Sequence, residues 1–67
     1  MMRVIINGKH ETVQEGTTVA TLLDRLSLAP VRVAVEINED IVPRKTFAET
    51  AVQEGDRIEI VTFVGGG

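Results

Sequence analysis

The sequence contains no cysteine, a single histidine and only two aromatic residues, and each shortage closes a route. Without cysteine there are no disulfides, and without a His-rich cluster there is no structural metal, so the two devices that commonly staple domains below about 70 residues are missing. The lack of thiols leaves the redox compartment open, although small secreted domains are usually disulfide-dense. Basic residues are also in the minority, seven against ten acidic, for a formal net charge of -3. That sign opposes a phosphate backbone, and two phenylalanines offer little for base stacking, so no nucleic-acid partner is expected. No apolar run approaches the ~18 residues of a membrane span. The opening "MMRVIINGKH" lacks the charged start and long apolar stretch of a secretory signal. A cytoplasmic protein without membrane association is expected.

Apolar residues, 43% of a 67-residue chain, are left to do the folding. One domain of this size buries only about 60% of the surface its unfolded chain exposes, so the core is thin and regular structure must carry it. "MRVIIN" is rich in β-branched residues, and Asn7-Gly8 supplies the positive φ of a tight hairpin turn, returning the chain through a strand at about His10 to Val13. Gly16 marks the next turn, and Thr17 or Thr18 offers a hydroxyl to cap a helix. Val19, Leu22, Leu23 and Leu26 follow i, i+3, i+4, i+7 and predict one helical stripe. After Pro30, the residues Val31, Val33, Val35 and Ile37 alternate with Arg32, Ala34 and Glu36 as a half-buried strand does. "NED" turns the chain, and "IVP" is at most a short edge strand because Pro43 has no N–H for a ladder. "RKTFAET" has room for a helical turn from which Phe47 plugs the core. Past a turn at Gly55, "RIEIVTFV" reads as the last strand, with Ile58 and Ile60 on one face and Glu59, Val61 and Phe63 on the other.

The expected fold is therefore α+β: a mixed sheet of four or five strands with one main helix packed on one face. The first and last strands are the most continuously apolar and should lie centrally. Residues 1–64 form the domain, and Gly65, Gly66 and Gly67 form a flexible tail.

Chemistry within the domain is hard to assemble from this inventory. His10 sits beside Glu11 on a strand, where neighbours point to opposite faces, and reads as a solvated residue without a metal partner. The acids fall at turns and exposed strand positions, and Gly8, Gly16 and Gly55 lie outside any phosphate-cradling pattern. No catalytic residue and no metal ligand is assigned. The tail is the exception. Three glycines follow the last strand directly and end in the α-carboxyl of Gly67. A segment without Cβ atoms can enter a channel too narrow for branched residues. A carboxylate is a poor electrophile, so chemistry on it requires activation by a separate ATP-dependent enzyme, typically as an acyl adenylate. On the outer face of the sheet, Val61 and Phe63 should join Ala34 and Ile5 in an apolar patch leading toward the tail, a partner-contact surface.

The stretches "VIINGK", "TVATLLDRL", "VAVEINEDIVPR" and "EGDRIEIVTFVGGG" span nearly the whole chain. Together they resemble the small β-grasp sulfur carriers, and most closely the ThiS group within the MoaD/ThiS family. The resemblance implies a ubiquitin-like β-grasp in which the first and last strands run parallel in mid-sheet. It implies that Gly67 is adenylated by an E1-like enzyme of the ThiF type using ATP, with no cofactor bound to the carrier. A sulfur-donor system then converts it to a thiocarboxylate that supplies a thiazole synthase of the ThiG type in thiamin biosynthesis. Gly66 keeps the approach slim, Gly65 extends it, and the carrier is not itself an enzyme. Two alternatives stay open: a carrier of the same mechanism serving molybdopterin or cysteine synthesis, and a ubiquitin-like modifier joined to lysines.

Overall fold

A computed structural model describes residues 1–63. Five strands and one α-helix appear in the order β1 (Met2–Ile6), β2 (Lys9–Val13), α1 (Val19–Arg25), β3 (Val33–Ile37), β4 (Asp40–Ile41) and β5 (Arg57–Thr62), with 3-10 turns at Pro30–Arg32 and Arg44–Thr46. They make one mixed sheet ordered β2-β1-β5-β3-β4. β1 and β5 are interior and parallel, pairing Ile5 with Arg57 and Ile6 with Ile58, while every other pair is antiparallel. This is the β-grasp arrangement that the resemblance implied, and both strands expected to be interior are so.

The two hairpins close through left-handed pairs of residues, Asn7 (φ 49) with Gly8 (φ 82) and Asn38 (φ 53) with Glu39 (φ 73). Two-residue turns of this hand match the twist of the strands they join. At seven residues, α1 is well short of the ~12–15 that a helix needs to persist alone in water, so its ends and its packing decide its existence. All four N–H groups that the first turn leaves open are answered. The Thr18 N–H donates to Thr21 Oγ1 at 2.8 Å, and the Thr21 N–H donates to Thr18 Oγ1 at 3.2 Å, a reciprocal capping box. The N–H groups of Val19 and Ala20 donate to the carbonyls of Thr50 and Phe47, both at 2.9 Å. The segment that delivers Phe47 to the core thus also caps the helix.

The other end of α1 is closed by a Schellman motif. The Leu28 N–H donates to Leu23 O at 2.9 Å and the Ser27 N–H to Asp24 O at 3.0 Å, with Ser27 left-handed at φ 60. This closure corrects the expected stripe. Val19, Leu22 and Leu23 are buried, but Leu26 falls on the C-cap and is 44% exposed, and Leu28 packs against the core in its place. Val31 is a second correction: Pro30 starts a 3-10 turn that carries Val31 to 69% exposure, and strand geometry begins only at Val33. The core is Val4, Val13, Val19, Leu22, Leu23, Val33, Val35, Phe47, Val52, Ile58 and Ile60, gathered between the helix and one face of the sheet. Among the described residues, no helix is long and apolar enough to cross a membrane.

Candidate functional site

With the helix covering one face, the outer face of the sheet carries the odd-numbered residues of β5: Arg57, Glu59, Val61 and, beyond the strand, Phe63. Their partners follow from the register. Ala34 lies opposite Val61, Glu36 opposite Glu59, and Ile41 of β4 opposite Glu36. The Phe63 N–H donates to Arg32 O at 2.8 Å, which prolongs the β3–β5 pairing by one further rung and fixes where the ring stands. Val61 is 60%, Phe63 48% and Ile41 74% exposed. Beside them lies a shallow, mainly apolar hollow of about 190 Å³. Ala34, Ile41, Pro43, Arg44 and Phe63 are among its lining residues. Ile41 and Phe63 line this hollow and Val61 stands opposite Ala34 of its lining; three large apolar side chains held in water in this way are the kind of surface that awaits a partner.

The sequence-based patch is therefore brought together at Ala34, Val61 and Phe63. Ile5 is a correction. It shares the outer face, but it pairs with Arg57 on one side and His10 on the other, so Arg57 and Glu59 stand between it and Val61 along β5. The cause is the short overlap of the parallel ladder, which ends at Ile6 and Ile58, before β5 reaches Val61. Ile41 is the residue that sequence reasoning missed. A strand of two residues has no alternation to read, yet a two-residue turn at Asn38-Glu39 fixes the register and would have set Ile41 across from Glu36. Gly65, Gly66 and Gly67, and the expected boundary after residue 64, lie outside the described residues. His10 is exposed on the edge strand β2. No group of three His, Cys, Asp or Glu side chains among the described residues is placed to hold a metal ion.

Comparison with known proteins decides the family. The ThiS family profile matches residues 3–67. The chain belongs to the ThiS family. The crystal structure of the thiamine biosynthesis protein ThiS from Geobacter metallireducens superposes with a TM-score of 0.83 at 39% identity, covering 98% of this chain and all (100%) of that one. This agreement extends the ubiquitin-like β-grasp assignment to a solved ThiS structure. The sulfur carrier protein ThiS of Escherichia coli is 35% identical over 66 residues, 98% of this chain and 100% of its own length. A thiazole synthase of Paramagnetospirillum magneticum is 44% identical over 66 residues, and there the chain spans only 20% of the relative's length. A ThiS-like module thus occurs both as a small protein and as a fraction of a larger one.

Proposed function

We propose that this chain is a sulfur carrier for thiazole formation in thiamin biosynthesis, with the carboxyl of Gly67 as the group that bears sulfur. The observation that carries the reading is the match to the Escherichia coli sulfur carrier along that protein's whole length, joined to a sequence that runs from β5 straight into Gly65, Gly66 and Gly67. An E1-like adenylating enzyme of the ThiF type supplies the activation. A carboxylate oxygen attacks the α-phosphorus of ATP, pyrophosphate leaves, and the carbonyl carbon becomes electrophilic as an acyl adenylate. A persulfide sulfur from the donor system attacks that carbon and displaces AMP. A thiol then cleaves the sulfur–sulfur bond and leaves a thiocarboxylate. A thiazole synthase of the ThiG type takes the sulfur, and an ordinary carboxylate returns.

The carrier catalyses none of these steps and binds no cofactor of its own; ATP is the activating enzyme's substrate. Ala34, Val61 and Phe63, with Ile41 added, form the partner surface. Its geometry favours delivery: Gly67 lies four positions beyond Phe63 in the sequence, and such a span reaches at most about 14 Å. An enzyme docked on the patch therefore has its reaction centre close by, and the glycines let a thin backbone thread into it. Similarity to thiazole synthases supports the same pathway.

The test is intact mass spectrometry after incubation with the ThiF-type enzyme, ATP and a persulfide donor. The expected result is replacement of one oxygen of the terminal carboxyl by sulfur. An unchanged mass, with an enzyme that activates its own carrier under the same conditions, overturns the reading.

A further inference from the structure

The main chain of β1 leaves the sheet after Ile6, while β5 continues to Thr62. The Asn7 N–H still donates to Ile58 O at 2.9 Å. In a regular parallel ladder the following rung runs from the Ile60 N–H to the Asn7 carbonyl. At Asn7 the chain instead turns left-handed, φ 49, and departs toward β2. Its side chain supplies what the main chain withdraws. Asn7 Oδ1 accepts from the Ile60 N–H at 2.8 Å, and Asn7 Nδ2 donates to Ile60 O at 3.2 Å. A primary amide has one acceptor and one donor in the layout of a peptide group, so it substitutes for one residue of a strand that has turned away. Past Ile60, among the described residues, β3 is the one strand that pairs with β5. The amide of Asn7 is thus the last hold on β5 from its β1 side, three residues before Phe63.

We propose that Asn7 is a positioning residue for activation of the carrier: its amide sets the direction in which the chain leaves the sheet toward Gly67. The inference rests on the sulfur-carrier reading. Asn7 touches no reacting atom. Its leverage comes from its place near the end of β5: without the amide, the Ile60 N–H and C=O lose their partner on the β1 side, and the last residues of the strand are tied to β3 alone. A misplacement of about 1 Å at a reaction centre can cost on the order of 10²-fold in rate. Of the apolar contact residues, Ala34 and Ile41 lie on β3 and β4, on the far side of β5. Val61 and Phe63, which follow Ile60, keep their pairing to Ala34 and Arg32 of the β3 side, so most of the docking surface is held independently of Asn7.

Glycine separates the two roles of Asn7, since it adopts the left-handed turn without strain but carries no amide. The experiment compares the full chain with its Asn7→Gly and Asn7→Asp variants in ATP–pyrophosphate exchange with the ThiF-type enzyme, and follows amide hydrogen exchange at Ile60. For Asn7→Gly the expected result is a fall of about tenfold or more in kcat, with the KM for the carrier held within about twofold, and faster exchange at Ile60. Asn7→Asp keeps the acceptor and loses the donor, and should fall between. Wild-type kcat in a variant whose Ile60 amide has been freed overturns the inference, as does a loss that appears wholly in KM. Should the wild-type chain itself fail to be adenylated, the sulfur-carrier reading falls and the positioning role with it; activation of both chains at equal rates removes the positioning role alone.

Discussion

Replacing Phe63 by aspartate separates a docking surface from a structural one. The ring is 48% exposed, so folding draws on only about half of it. Full burial of a phenylalanine contributes roughly 1.5–3 kcal/mol, which puts the structural loss in Phe63→Asp near 1 kcal/mol. For a domain of this size that corresponds to a fall in Tm of roughly 4–8 °C. An aromatic anchor at the centre of an interface is worth about 2–4 kcal/mol when removed, or roughly 30- to 1,000-fold in Kd. The two numbers are far enough apart to distinguish by measuring both. Calorimetric titration of the ThiF-type enzyme with each carrier gives the affinity, and thermal unfolding of the same samples gives the stability. Leu26→Gln is the control, because Leu26 has a similar exposure of 44% but lies at the end of the helix, on the other layer. It should leave the affinity unchanged. If Phe63→Asp lowers affinity no more than it lowers stability, or if its Tm falls by several times the range given, Phe63 belongs to the structure and the docking assignment is wrong.

Three further outcomes follow from the packing. Thr18→Ala removes the hydroxyl that accepts from the Thr21 N–H and should destabilise the fold by about 1 kcal/mol in denaturant titration, whereas Thr18→Ser should recover most of the loss. Ser27→Gly relieves a left-handed residue at φ 60 in the Schellman closure and should raise stability by about 0.5–1 kcal/mol at the same denaturant slope. Phe47→Ala, at a residue 4% exposed, should cost about 3–5 kcal/mol. A chain this short holds on the order of 3–10 kcal/mol in total. The circular dichroism of that variant should therefore show a large unfolded fraction at 37 °C, and a cooperative melt near that of the parent would contradict the placement of Phe47 in the core.

The parts of the molecule legible in the sequence are those governed by neighbours along the chain. Asn7-Gly8 specifies its hairpin because few residues accept positive φ, and the alternation from Val33 to Ile37 and from Arg57 to Val61 tells each strand's two faces apart. Phe47 was legible as a core residue because a lone aromatic in the otherwise mostly polar stretch "RKTFAET" has few other uses. Leu26 was misplaced because periodicity does not announce where a helix stops; the stop is made by Ser27, which lacks the glycine that usually marks it. Val31 was misplaced because Pro30 starts a turn and not a strand. The position of Ile5 depends on how far β1 and β5 overlap, and the service of Asn7 to Ile60 joins residues 53 apart in sequence. Neither is written in any local window. Of the candidate site, the aromatic and its strand neighbours were readable from alternation, while Ile41 required the register of a two-residue strand.

The placement of β5 between β1 and β3 also governs how the protein can be made. As the chain emerges from the ribosome, two hairpins appear in succession, β1 with β2 and β3 with β4, and they share no ladder until β5 slots between them. Isolated two-stranded hairpins are marginally stable at best in water. Copies whose synthesis halts before about residue 57 are left as two unjoined hairpins with open strand edges. A copy with a closed sheet has been translated at least through β5, so the topology withholds the finished fold until the chain is nearly complete.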